Sequence, residues 1–106
     1  MAKYLFRISY TTEGVRLLHR ARATGIRATG SKAIEAAGGN LECYYFALGQ
    51  DDAIGIVDFP DNIAAASLSA AANSVGNVHF SLTPLMTAEE MDKALEKSAA
   101  IPVPGR

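Results

Sequence analysis

The chain has 106 residues, of which 49% are hydrophobic and 20% charged, and its formal net charge is −1. This length suits a single domain, and the near-neutral charge gives no reason to expect nucleic acid or an anionic membrane as a partner. The single cysteine, Cys43, excludes an intrachain disulfide and a Cys-rich zinc site. A lone thiol suits a reducing compartment, so we expect a cytoplasmic protein.

The first part of the chain predicts one strand and one long helical region. Apolar side chains alternate along residues 3–10, which favours a strand over a signal peptide. One face of that strand is formed by Tyr4, Phe6, Ile8 and Tyr10. A helix follows and ends at Gly38-Gly39, and its internal glycines predict a kink at 24–26 or 29–31.

The second part of the chain predicts three strands and two helices, and the last helix begins with a capping sequence. In order they are strands at 41–48 and 53–59, a helix from Asn62 to about Val75, a strand at 78–82 and a helix at 89–98. Thr87 and Glu90 have the spacing of a capping box that opens the final helix. The run without charges between Asn62 and Ala88 is interrupted by polar residues, so we interpret it as helix then strand, not as a membrane anchor.

The predicted order is therefore β-α-β-β-α-β with one added C-terminal helix. This is the ferredoxin-like α+β arrangement, in which an antiparallel sheet carries two helices on one face. We expect a single domain at residues 1–98, followed by a tail at 99–106 whose two prolines prevent regular structure.

The sheet face away from the helices has a mixed composition. From the first and fourth predicted strands it receives Leu5, Arg7, Ser9, His79, Ser81 and Thr83. From the second and third predicted strands it receives Ile54, Ile56 and Asp58, with either Tyr44, Phe46 and Leu48 or Cys43, Tyr45 and Ala47. Such a half-apolar face is typical of an interface or a ligand groove. The charge-free helix after Asn62 is a second possible subunit contact, or simply a solvent-facing helix rich in Ala and Ser.

An acidic loop joins the two middle strands. Asp51, Asp52, Asp58 and Asp61 are close enough in sequence for a hard cation, but no calcium-loop spacing is present. Aspartates also favour turns, so we interpret Gly49–Asp52 as a hairpin turn and predict no metal and no cofactor. The two histidines lack metal-ligand spacing, and His79 is a candidate acid or base only if Asp58 or Tyr45 lies across from it.

Half of the basic residues lie in the first helical region. They are Arg16, Arg20, Arg22, Arg27 and Lys32, with no acidic residue between Glu13 and Glu35. This pattern permits binding of an anion such as phosphate, and it is equally typical of a solvated helix face.

The chain resembles the GYD domain family of small bacterial and archaeal proteins. The residues that carry the resemblance are, in order, Lys3-Tyr4-Leu5-Phe6, Tyr10-Thr11, Glu13-Gly14, Gly38-Gly39, Tyr45-Phe46-Ala47, Gly49, Ile56-Val57-Asp58, Pro60-Asp61, Thr83-Pro84-Leu85 and Glu89-Glu90. The name-giving motif is Gly-x-Tyr-Asp. Here Gly49 and Asp52 match it, and Asp51 stands where the family has tyrosine. The resemblance implies a dimeric α+β barrel fold and no particular reaction.

These observations favour a homo-oligomeric module that binds a small ligand in a sheet-face or inter-subunit cavity. The alternative is a cofactor-free enzyme, an oxygenase or isomerase, as in some other dimeric α+β barrels. In either case the candidate lining residues are Arg7, Tyr45, Asp58 and His79.

Overall fold

A computed structural model describes all residues from 1 to 106 and contains four strands and three helices. Their bounds are β1 (Ala2–Tyr10), α1 (Thr12–Ala36), β2 (Asn40–Phe46), β3 (Ala53–Phe59), α2 (Asn62–Ser74), β4 (Val78–Pro84) and α3 (Ala88–Ser98). The strands form one antiparallel sheet in the order β2-β3-β1-β4. The predicted ferredoxin-like α+β fold is confirmed.

The core lies on one face of the sheet, because side chains alternate along each strand. Its nine buried residues are Tyr4, Phe6, Ile8, Ile34, Ala53, Val57, Phe59, Ala65 and Leu68. At the centre, Gly55 makes room for the Phe6 ring. A Cβ at Gly55 would lie 2.2 Å from the Cys43 carbonyl oxygen and 2.3 Å from Phe6 Cζ, so no larger residue fits without displacing the strand or the ring.

Each helix begins with a side-chain cap. The Thr11 hydroxyl accepts a hydrogen bond from the backbone N–H of Gly14, and the Asp61 carboxylate accepts one from Ala64. The predicted capping box of α3 is confirmed, with both reciprocal hydrogen bonds between Thr87 and Glu90. The hydrogen bond from the Thr87 backbone N–H lowers the pKa of the Glu90 carboxyl, because it stabilises the charged form.

The uncharged run after Asn62 contains α2 and then β4, as predicted. Helix α2 has thirteen residues and buries Ala65 and Leu68 against the sheet. None of the helices combines the length and the apolar character that a membrane crossing requires.

Three predicted details are wrong. Strand β2 ends at Phe46 instead of Leu48, and β4 continues to Pro84. The kink in α1 lies at Arg22, which has φ 66° and ψ 163°, and not at 24–26 or 29–31. Because the backbone of an arginine at positive φ is strained, packing of the two helix halves and not local propensity places this kink.

Helix α3 extends from the body with no buried residue. Its apolar side is exposed, with 45% of Met91 and 55% of Leu95 accessible. The molecule is 56 Å in its longest dimension, and its radius of gyration of 16.8 Å exceeds the roughly 13 Å of a compact domain of this length. The elongated shape therefore leaves apolar surface that the single chain does not cover.

The strained backbone at Arg22 predicts opposite effects for the same substitution at two positions of α1. We expect Arg22→Gly to raise the free energy of unfolding by about 1 kcal/mol, because glycine adopts positive φ without a steric penalty. Arg20→Gly, in regular helix, should lower it by about 1 kcal/mol. Urea denaturation followed by circular dichroism measures both, and destabilisation by Arg22→Gly would contradict the assigned kink.

Candidate functional site

The bare face of the sheet, which neither α1 nor α2 covers, is organised in rows by the strand register. Its central row is Cys43, Ile56, Leu5 and Thr83. The next row is Tyr45, Ile54, Arg7 and Ser81. Leu5, Ile54 and Ile56 remain half-buried in the isolated chain. The face therefore has an apolar centre with polar side chains around it.

Of the two alternatives for β2, the structure selects the one that places Cys43 and Tyr45 on the bare face. The reason is a bulge: Leu41 pairs with Val57, but Cys43 pairs with Ile56, so Glu42 is an extra residue on β2. Tyr44 is thereby turned toward the helices, where its ring lies 5.2 Å from that of Phe6.

Ion pairs lie on both sides of the apolar centre. At one end, Lys3 Nζ lies 2.6 Å from Glu42 and 3.2 Å from Asp58, and these hydrogen bonds raise the pKa of Lys3, with Glu42 contributing most. At the other end, Arg7 Nε lies 3.4 Å from Asp51 Oδ2. Both ends therefore carry both signs of charge, with one cation and two carboxylates at the Lys3 end and one of each at the Arg7 end.

The four predicted lining residues do not meet at one point in the single chain. Arg7 and Tyr45 share a row with Ile54 between them, so their Cα atoms are about 10 Å apart. His79 is diagonal to Arg7, roughly 7–8 Å away.

Asp58, by contrast, belongs to the row of Lys3, about 13 Å along the strands from the Arg7 row. The residue opposite His79 is Ser9, so neither Asp58 nor Tyr45 lies across from that histidine. The acid–base arrangement considered for His79 is therefore not formed within one chain.

The Gly49–Asp52 segment is a turn between β2 and β3, as predicted, and its two aspartates make different contacts. Asp52 Oδ2 accepts a hydrogen bond of 2.7 Å from the backbone N–H of Tyr10, and the backbone N–H of Asp52 donates to the Ile8 carbonyl. Asp52 thus holds the end of β1. Asp51, at the family's tyrosine position, contacts Arg7 on the bare face.

The arginine-rich helix has no convergent arrangement. Its basic residues are all exposed, and Arg16 pairs with Glu13 in the first turn. Nowhere in the chain do three or more His, Cys, Asp or Glu side chains form a group that could hold a metal ion.

Sequence reasoning missed a pocket on the opposite side of the sheet. It lies between the sheet and the helices and has a volume of about 230 Å³. Among its walls are Phe6, Tyr10, Ile34, Tyr44, Leu68 and Phe80. The signal in the sequence was the presence of tyrosines at core-facing strand positions, because a phenol that packs in a core must still find a hydrogen-bond partner.

The pKa values of both phenols in this pocket, Tyr10 and Tyr44, are raised. Burial raises the pKa of Tyr44, and the neighbouring Tyr10 raises it further. Burial likewise raises the pKa of Tyr10, although a hydrogen bond with the Tyr44 phenol partly opposes that effect. The Tyr10 hydroxyl is inaccessible to water and lies beside the Tyr44 phenol.

The different contacts of the two turn aspartates predict different costs of substitution. Asp52→Ala leaves the part-buried Tyr10 N–H without an acceptor, which should lower the free energy of unfolding by about 1–3 kcal/mol. Asp51→Tyr, which restores the family residue, removes only a partly exposed ion pair at 3.4 Å and should change it by less than about 1 kcal/mol. Urea denaturation of both variants tests this, and equal costs would contradict the division of roles.

Comparison with known proteins agrees with the resemblance carried by the strand and turn residues. The family model described as "GYD domain" matches residues 4–95, which is most of the chain. Searches of curated proteins and of solved structures found no match. The matched region extends from Tyr4 in β1 into α3, and thus includes nearly all of the sheet, the turn and both packed helices. The chain therefore belongs to the GYD domain family.

Proposed function

We propose that this protein is a homodimeric module that packs two bare faces against each other and holds a small ligand between them. The observation that carries the proposal is the apolar centre of the bare face. A sheet face that meets water normally presents alternating polar side chains, whereas here Leu5 pairs directly with Ile56 and Arg7 with Ile54. Covering this centre with an identical face would remove apolar surface from water.

The charges support a pairing of like faces. In a two-fold interface each patch meets a copy of itself, so a patch of a single sign would repel its partner. Each end of the bare face carries both signs, with Lys3 beside Asp58 and Arg7 beside Asp51. Charges that already have a partner cost less to desolvate than single ones, so their presence does not oppose burial.

The proposed ligand position is the region around Arg7, Tyr45 and His79. A two-fold axis near the apolar centre would bring the same three side chains from the partner subunit close to them. Polar groups at the margin of an apolar surface are typical of small-molecule sites. Asp58 lies outside this region because it is held by Lys3 at the other end. The alternative, a cofactor-free enzyme, gains no support from the single chain, since Ser9 lies opposite His79.

A charge placed in the apolar centre tests the assembly. We expect wild type to sediment as a dimer and Leu5→Arg as a folded monomer, because dimerisation would bury an unpaired guanidinium from each subunit. The matched control is Ile63→Arg on α2, where the isoleucine is 81% exposed on the helix side. Sedimentation velocity measures all three. A monomeric wild type, or dissociation by Ile63→Arg alone, would contradict sheet-to-sheet assembly, and the second result would favour the helix contact.

Native mass spectrometry of the purified protein tests the ligand. We expect the dimer to retain a discrete excess mass, and His79→Ala to lose that mass while it remains dimeric, because His79 is exposed and makes no core contact. Ser67→Ala, an exposed change on α2, is the control and should retain both the mass and the dimer. A ligand-free wild-type dimer would reduce the function to assembly alone.

A further inference from the structure

The pocket between the sheet and the helices is larger than the voids that remain in an ordinary core. Its volume is about 230 Å³, whereas protein interiors contain few voids larger than a water molecule. An apolar cavity of ~150 Å³ is known to bind benzene. Three of the lining residues, Thr29, Ala33 and Val75, are exposed at the protein surface. The pocket therefore opens to solvent, and a small molecule can enter it without unfolding of the chain.

The walls of the pocket are apolar and carry no charge. Seventeen residues line it, thirteen of them hydrophobic, and none is Lys, Arg, His, Asp or Glu. The hydroxyl of Tyr10 is inaccessible and lies beside the Tyr44 phenol, so it offers no hydrogen bond to an occupant. A charged or hydrogen-bonding ligand would lose its hydration here without gaining a partner. These walls therefore favour an uncharged molecule without polar groups.

Helix α1 spans the pocket instead of collapsing into it. Its kink at Arg22 lies between Leu17 and Ile26, and both of these side chains line the pocket. The positive φ at Arg22 is strained, and strained backbone that the surrounding structure maintains is often found at ligand sites. Farther along α1, a Cβ added at Gly30 would lie 3.6 Å from Tyr44 Cε2, which is an ordinary contact distance. Space is therefore left in the pocket where a larger side chain would fit.

Aromatic rings form part of the wall and indicate the kind of molecule that fits. The ring centroid of Phe6 lies 5.2 Å from that of Tyr44 and 6.0 Å from that of Phe80, and all three residues line the pocket. Aromatic rings pack favourably against one another at centroid distances of about 4.5–7 Å. A further ring placed against this cluster would extend the same packing.

We propose that this pocket binds one small neutral aromatic molecule that has no hydrogen-bonding group, and holds it by apolar packing alone. The ring of the ligand packs against Phe6 and Phe80, and its remaining carbon atoms contact Ile34 and Leu68. The site lies on the opposite side of the sheet from the ligand region of the bare face. It belongs to a single chain and does not depend on dimer formation.

The test compares ethylbenzene with benzyl alcohol, which has nearly the same shape but carries a hydroxyl in place of the terminal methyl, and with benzoate. Binding is followed by methyl NMR titration, in which Ile34 and Leu68 report on the pocket and Ile54 and Ile56 report on the bare face. We expect saturable shifts with ethylbenzene at Ile34 and Leu68 only. Benzyl alcohol should bind about ten- to a hundredfold more weakly, because its hydroxyl would be buried without a partner. Benzoate should cause no shift.

Three variants locate the site. Ala72→Leu places a larger side chain in the pocket and should weaken ethylbenzene at least about tenfold. Ala70→Leu is the matched control, because Ala70 is exposed on the same helix and does not line the pocket, and it should bind as wild type does. Leu5→Arg should also keep the binding, because the bare face is on the other side of the sheet. Circular dichroism confirms that each variant is folded.

Three results would overturn the proposal. They are an absence of saturable shifts at Ile34 and Leu68 with ethylbenzene, equal affinities for ethylbenzene and benzyl alcohol, and undiminished binding in folded Ala72→Leu. The first two need only the wild-type protein, so they decide the matter even if Ala72→Leu does not fold. Loss of binding in folded Leu5→Arg would overturn the independence of the site from the dimer.

Discussion

Strand β1 is paired along its length with both β3 and β4, and the rest of the structure depends on this double pairing. Because side chains alternate, a strand in fixed register on both sides assigns each of its residues to one face. Tyr4 and Phe6 are thereby directed toward the helices, and Leu5 and Arg7 toward the bare face. A shift of the strand pairing by one residue would exchange the two faces. The guanidinium of Arg7 would then be buried and the ring of Phe6 exposed.

The two faces that this register creates differ in their chemistry. The bare face combines an apolar centre with charges that are already paired, which suits contact with an identical surface. The helix face contains a pocket whose walls are mostly apolar and carry no charged side chain. The family motif connects them, because Asp52 holds the strand end that presents Tyr10, while Asp51 pairs with Arg7 on the other side. Replacing the family tyrosine by Asp51 therefore changes the bare face and leaves the support of Tyr10 in place.

The pocket exists because α1 covers the sheet incompletely. Of its 25 residues only Gly14 and Ile34 are buried, and the kink at Arg22 lies between them. The Gly14 backbone approaches so closely that a Cβ there would lie 2.0 Å from the Asn77 carbonyl oxygen, which fixes the first half near the β4 end of the sheet. The second half packs near β2, where Gly30 lies against the Tyr44 ring. The pocket is the unfilled space between these two contacts, and apolar side chains line it.

The features that arise from local rules could be predicted from the amino-acid sequence. Alternation predicted the four strands and the faces of β1, hydroxyl and carboxylate residues predicted the helix caps, and the order of elements predicted the ferredoxin-like fold. These features depend on neighbouring residues or on a simple period, so they can be recognised in one sequence.

Tertiary structure alone decided the rest. The bulge at Glu42 selected Cys43 and Tyr45 for the bare face, and the register placed Asp58 beside Lys3 instead of His79. Packing moved the helix kink to Arg22 and left the pocket around Tyr10. The physical reason is the same in each case. The strand register, the helix kink and the pocket depend on contacts between residues far apart in the chain. A local sequence pattern does not show which of those contacts form.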